Sequence, residues 1–293
     1  MTMLHKKKNR LRLLCAYILL GGWMLFLSNP LLSKETVIWR VTDWPPFYIL
    51  EGPDKGKGIY DEIISMISRH LPEYDHQTMS MNTVRVRAQW SLGEKVCHPS
   101  VIVGESFNTQ SVVNSILLPH RIIVHKDKED KVNLLRKDEV SLGQLLADTT
   151  LRGGVTPGRY TSLLNDIVKQ HKGGGHLYFN PNYDRMIEMV LLKRLDYIIE
   201  YPPIIAYTAK QMGLDNSTIS LGIQEAKESS YLSVAVGCTK NAWGRAMIDK
   251  INQVLKKESQ NPDFLESRLK WYDKPSRKIL RKIYQDFYFK DKM

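Results

Sequence analysis

Short apolar runs alternate with amphipathic stretches over most of the chain, the pattern of strands followed by helices in an α/β protein. Val37 to Thr42 reads as a first strand, and Trp44-Pro45-Pro46-Phe47 as a rigid turn behind it. Ile59, Ile63, Ile64, Ile67 and Leu71 then share one face of a helix predicted over Ile59 to Leu71. A second unit opens at Leu151-Arg152-Gly153-Gly154-Val155, passes through Thr156-Pro157-Gly158-Arg159-Tyr160 and enters a helix from Thr161 to about Gln170. Between these starts, Ile116 to Val124 is apolar except for Pro119, His120 and Arg121, as expected for a strand running from one lobe into another. Apolar character returns at Leu232 to Val236, which predicts a second crossing, and the helix from Ala242 to about Lys257 should pack back on the first lobe.

The 293 residues suit one large domain or two small ones, and 43% hydrophobic with 25% charged residues allows a buried core and excludes a wholly disordered chain. The net charge of +11 belongs to the ends. Residues 1–33 carry five bases and no acid, residues 34–267 carry 28 of each sign, and residues 268–293 carry nine bases against three acids. A neutral body with basic ends lacks the basic folded surface that phosphate recognition needs, so nucleic acid is not an expected partner.

At the amino terminus, Lys6, Lys7, Lys8, Arg10 and Arg12 precede an apolar run from Leu13 to Leu27 that Ser28, Asn29 and Pro30 break. That is the layout of a secretory signal, and the run is short beside the ~20 residues of a spanning helix. Leu31-Leu32-Ser33 offers a small residue only at its last position, which leaves an uncleaved anchor as the alternative. Either way the body is expected in the periplasm or outside the cell. Export leaves Cys97 and Cys238, an even count where disulfides persist, and two readings stand: a bridge between them, or two separate buried thiols. At the other end, Pro275 opens a helix with Ile279, Leu280, Ile283, Tyr284 and Phe287 on one face and Arg277, Lys278, Arg281 and Lys282 largely on another. Such a helix either docks on a lobe or lies on an anionic membrane surface or a partner.

Thr42-Asp43-Trp44-Pro45-Pro46-Phe47, the Gly58-Ile59-Tyr60-Asp61 helix start, the Gly154 to Tyr160 loop, Leu195-Asp196-Tyr197-Ile198-Ile199-Glu200 and the late strand followed by Gly244 to Leu255 together resemble the family 3 extracellular solute-binding proteins. The resemblance covers about residues 36 to 272, and Glu200-Tyr201-Pro202-Pro203 is similar to an uncharacterised branch of that family. It implies the type II periplasmic binding protein fold: two α/β lobes, joined by two crossing segments, that close on a small polar ligand and present the closed state to a membrane transporter or a sensor protein. On this reading residues 34–119 begin the first lobe, 120–231 form the second, 232–267 return to the first, and 268–293 are a basic amphipathic tail.

The resemblance also implies ligand positions. Trp44 matches the aromatic residue that stacks on the ligand from the first lobe, whereas Phe47 reads as core. Arg159 and Tyr160 match the second-lobe loop that meets the ligand's carboxylate, where Arg159 adds an anion clamp. Glu200, or Tyr201 in the neighbouring register, matches the acid that holds the ligand's amino group. Where amino-acid binders place a clamp arginine, counting back from Pro119 reaches Gln110. Asn108, Thr109 and Gln110 can hydrogen-bond a ligand but supply no positive charge, and Arg121 replaces it only if it points into the cleft.

Enzyme signals are thin. No Cys-His metal spacing, Walker loop, nucleophile elbow or dinucleotide glycine pattern is present, so neither metal nor cofactor is expected. The same fold carries cyclohexadienyl dehydratases, a lyase alternative for which Glu200 is the one nameable general acid.

Overall fold

The computed structural model describes residues 33–128 and 139–289. The chain divides into two compact units, residues 1–35 and 36–293, and the predicted leader lies outside the described residues. Strand β1 (Glu35–Val41) buries Val37, Trp39 and Val41 on alternate positions, as the pattern requires. Helix α1 (Ile59–His70) turns Ile59, Ile63, Ile64 and Ile67 to the core, and the Asp61 carboxylate closes its start by accepting the amides of Gly58 at 3.0 Å and Ile49 at 2.8 Å. Then follow β2 (Tyr74–Ser80), α2 (Thr83–Ser91) capped by Asn82, β3 (Val96–Ile102) and β4 (Asn108–Leu117).

The apolar run expected as one continuous strand is two. β4 ends at Leu117, and β5 (Arg121–His125) starts in a different sheet. Pro119, which has no amide to give a ladder, sits in the break between them. The second lobe continues through β6 (Glu139–Val140), α3 (Leu142–Ala147), β7 (Gly153–Val155), α4 (Ser162–Gln170), β8 (Leu177–Phe179), α5 (Tyr183–Leu191), β9 (Tyr197–Glu200), α6 (Pro202–Gln211) and β10 (Thr218–Ile223). β11 (Leu232–Thr239), α7 (Ala242–Glu258), α8 (Pro262–Leu269) and α9 (Lys274–Phe289) complete the chain.

The first sheet has five strands in the order β2-β1-β3-β11-β4, and the second has six in the order β6-β10-β5-β9-β7-β8. β11 lies wholly in the first sheet, antiparallel to β3 and β4, so the second crossing is the 3-10 segment Gln224–Ser229 and the residues after it rather than Leu232 to Val236. The largest buried cluster takes Trp39, Ile63 and Ile67 from the first lobe together with Ile198 and Ile204 from the second, so the lobes share apolar contact at their junction.

Of the two readings for the cysteines the structure shows the bridge. Cys97 in β3 faces Cys238 in β11, with Cα atoms 4.1 Å apart, and the two are joined as a disulfide. The tail docks. α9 buries Leu280 and Tyr284, and the Tyr284 hydroxyl accepts the Ile116 amide at 2.7 Å while Tyr288 donates to the Val113 carbonyl at 2.8 Å. Ile279 and Phe287, expected on the docked face, are exposed. No helix among the described residues is long and apolar enough to cross a membrane.

Candidate functional site

β1 ends at the junction of the lobes, and the turn behind it is held by the Trp44 carbonyl, which accepts the amides of Phe47 at 2.9 Å and Tyr48 at 3.0 Å. The Pro45–Pro46 bond is cis. Gly58 packs so close beneath the turn that a Cβ there would lie 2.7 Å from the Phe47 carbonyl oxygen, which restricts the position to glycine. Phe47 is fully buried, as expected of core. Trp44 is half-buried, its ring centroid 4.2 Å from that of Phe47 and 6.1 Å, edge to face, from Tyr201 of the second lobe. Tyr201 also lies, tilted, 3.9 Å from His120 in the first crossing, so Tyr201 joins Trp44 of the first lobe to the crossing segment.

In the second lobe, the charged residues expected to meet a ligand meet each other. Gly158, at φ +77°, makes the turn that aims Arg159 at the end of β9. There Arg159 Nε and Nη2 donate to the two oxygens of Glu200 at 2.7 and 2.9 Å, and the Tyr201 amide donates to Glu200 Oε1 at 2.8 Å. Glu200 is buried; that burial raises its carboxyl above the ordinary value, while the Arg159 fork and the Tyr201 amide pull it back. Arg159 also lies over the Tyr183 ring, 3.8 Å from its centroid. The Tyr160 hydroxyl accepts the Thr156 amide at 2.7 Å, and its side chain is buried. Arg159 and Glu200, expected as an anion clamp and as the holder of an ammonium, are paired with each other: a buried carboxylate needs a partner, and the chain supplies one.

Asn108, Thr109 and Gln110 open β4, where Thr109 stands opposite Cys238 and Asn108 opposite Thr239. The Gln110 carboxamide accepts the Gly104 amide at 3.0 Å and donates to the Ile102 and Glu105 carbonyls at 3.1 and 3.3 Å, so it braces the loop after β3. Asn108 is buried, and among the described residues neither its Oδ1 nor its Nδ2 finds a hydrogen-bond partner. Arg121 donates to Ser220 Oγ at 2.9 Å and to the Ser220 carbonyl at 3.2 Å, on the β10 side of its strand.

The open space at the junction lies beside these residues, against the first lobe. A cavity of about 450 Å³ is lined by Arg40, Trp44, Arg87, Trp90, His98 and Ser100, with Tyr183 from the second lobe, and Thr42, Asp43, Thr83 and Glu105 complete much of its wall. Larger cavities occur elsewhere, one of about 720 Å³ between the crossing segments and α9 and an apolar one of about 620 Å³ beside Val112 and Phe287. The smaller cavity is singled out by its place where β1 runs out between two α/β lobes and by its convergent polar groups. At its floor, Arg40 Nε donates to the Met81 carbonyl and Nη1 to His98 Nε2, each at 2.8 Å. The Ser100 hydroxyl lies 2.8 Å from His98 Nε2 and 2.7 Å from the Tyr48 hydroxyl. Burial first and the Arg40 charge second push His98 down to about 3, so its ring is neutral with the proton on Nδ1, and Nε2 accepts. Burial, with Arg159 next to it, likewise pushes His120 down to about 3.

Arg40, Arg87, His98, Ser100 and Tyr183 were not singled out by sequence reasoning. One signal for Arg40 was present: a charged residue inside Val37 to Val41, a run otherwise apolar from Val37 on, that ends at the turn carrying Trp44. No group of three or more metal-binding side chains occurs among the described residues.

Comparison with known proteins bears on the fold. No protein-family model and no curated protein matches the sequence. Solved structures do match. An ancestral cationic amino acid solute binding protein superposes with a TM-score of 0.62 at 14% identity, over 82% of this chain and 96% of its own. The chain has the two-lobed fold of periplasmic binding proteins. An ancestral arginine-binding protein, bound to arginine, matches at a TM-score of 0.55 and 13% identity over 82% of this chain and its whole own length. A histidine kinase sensor domain with similarity to periplasmic binding proteins matches at 0.53 and 11% identity over 82% and 96% of the two chains.

Proposed function

We propose that this protein is an exported solute-binding protein that takes a small polar ligand in the interlobe cavity and passes the bound state to a membrane transporter or a sensor protein. The observation that carries the reading is the cavity itself: first-lobe polar groups, Arg40, His98 and Ser100, share it with Tyr183 of the second lobe. A ligand touching both sides stabilises the arrangement in which they are close, and only such differential contact shifts a hinge equilibrium. Trp44 supplies the aromatic wall. The matching solved structures, amino acid binding proteins and a sensor domain, support this type of role. Catalysis is less well supported, because the one candidate general acid, Glu200, is held by the Arg159 fork.

A thermal-shift screen against amino acids, small peptides, organic acids, polyamines and sugars, with Trp fluorescence in parallel, tests the reading. A specific ligand should stabilise the fold by about 2.7 kcal/mol at 100 times its dissociation constant and should perturb Trp44 emission. Failure of every class to stabilise the protein would contradict a solute-binding role.

A further inference from the structure

Resting on the solute-binding reading of this cavity, we infer that its ligand carries an acid group and no ammonium, and that Arg40 is the cation that receives the acid. Arg40 is 7% exposed, and what faces it is neutral. Its hydrogen bonds go to the Met81 carbonyl and the His98 imidazole, it faces the Tyr48 hydroxyl, and among the described residues no carboxylate pairs with it. Behind His98, the Ser100 and Tyr48 hydroxyls extend the network without adding charge.

A guanidinium keeps its proton under all ordinary conditions, so a buried one needs either an anion or enough dipoles to stand in for water. Of its five N–H donors, one on Nε goes to Met81 and one on Nη1 to His98, and the guanidinium also faces the Tyr48 hydroxyl. The donors that remain sit on Nη1 and Nη2, the edge that can receive a carboxylate. Elsewhere at the junction the chain pairs its buried charges internally, Arg159 with Glu200. Arg40 is treated differently, and it is the one that lines the cavity.

Two acids, Asp43 and Glu105, also line the cavity, together with Arg87. All three are exposed, so water and salt screen them and they discriminate weakly between ligand charges. The buried acid that could hold an ammonium, Glu200, is already bound on both oxygens. The buried electrostatics of the site are therefore those of an uncompensated cation. A free amino acid would bring an ammonium with no buried acid to meet it, and a cationic amino acid would bring two charges of the wrong sign. Arg40 thus supplies, from β1, the positive charge that Gln110 does not.

The test is isothermal titration of the full-length protein, at fixed ionic strength, with acids matched to their amino counterparts: succinate against aspartate, glutarate against glutamate, with arginine and a neutral sugar alongside. The expected result is binding of an acid at least roughly 10-fold tighter than its amino counterpart, and a loss of roughly 10- to 100-fold in Arg40→Gln. Arg87→Gln, at the rim, should change affinity by less than about 5-fold. Arg40→Met removes the same charge and leaves the Met81 carbonyl and His98 Nε2 without their donor, so its melting temperature should fall modestly while acid binding is lost as in Arg40→Gln. Should the Arg40 variants fail to fold, the parent's preference between each acid and its amino counterpart decides the inference alone. Tighter binding of aspartate, arginine or the sugar, or equal binding of acids by Arg40→Gln, would overturn the inference and leave the solute-binding reading standing. Silence from this panel and from the wider screen would overturn both.

Discussion

His98 and His120 are both held neutral at the lobe junction, pushed down to about 3 from an ordinary 6.5 by burial, with Arg40 and Arg159 respectively alongside. The unfolded chain takes up protons below about pH 6.5 while the folded one does not, so stability is full above that pH and falls between it and about 3. Each histidine contributes about 1.4 kcal/mol per pH unit across that window. Urea unfolding at a series of pH values should show that slope, flattened in His98→Gln and in His120→Gln; the same slope in both variants would mean that the imidazoles titrate in the folded state. Glu200, raised by burial, opposes the slope above its ordinary 4.5, which is why the variants are the test. The Arg159–Glu200 pair gives a second expectation. Glu200→Ala should cost about 3–5 kcal/mol by leaving a largely buried guanidinium unpaired, and Arg159→Met with Glu200→Leu should recover much of it; a cost under about 1 kcal/mol for the single change would show that the pair does not hold the loop. Trp44, Arg159 and Glu200 were legible because each sits at a strand end or in a turn. That two of them satisfy each other was not, since their contact spans 41 positions of sequence and depends on how β7 and β9 lie side by side.

Among the elements, the disulfide and α9 both tie distant sequence to the first sheet. Cys97 and Cys238 are 141 positions apart, and replacing both with alanine should lower stability by about 2–4 kcal/mol. Denaturant unfolding measures the loss, and non-reducing mass spectrometry of the parent should recover the linked peptides; two alkylatable thiols would contradict the bridge. α9 is anchored by buried polar contact as well as by area. Tyr284→Phe would leave the Ile116 amide without its 2.7 Å partner and should cost about 1–3 kcal/mol, whereas Lys278→Gln, on the exposed face, should change stability by less than about 0.5 kcal/mol. Equal effects from the two changes would mean that α9 is not docked on β4. The period of apolar positions from Pro275 revealed this helix, and Asp273 closes its start by accepting the Ser276 amide at 2.8 Å. Tyr288 escaped the pattern because its role is a hydrogen bond to a strand carbonyl, which periodicity does not encode.

At the scale of the whole molecule, the alternation of strands and helices, with the chain leaving and rejoining the first sheet, carried the fold class. The first crossing lies within the predicted run, broken at Pro119, whereas the second comes several residues before the position predicted for it. An apolar run such as Ile116 to Val124 looks the same whether it stays in one sheet or changes to another, and only Pro119 marked the change. β11 was drawn as a crossing for the same reason, although every one of its pairings is with β3 and β4. The candidate cavity was less legible than the fold, because it is assembled from β1, α2, β3 and the start of α5, and its floor depends on Arg40 pointing to the face of β1 opposite Trp39. The central claim is that a ligand bridges the two lobes at this cavity. Hydrogen exchange with and without the ligand tests it most directly. The account predicts joint protection of residues 40–48 and 98–105 in the first lobe and of the segment around Tyr183 in the second, and protection confined to one lobe, or to α9 and its surroundings, would contradict it.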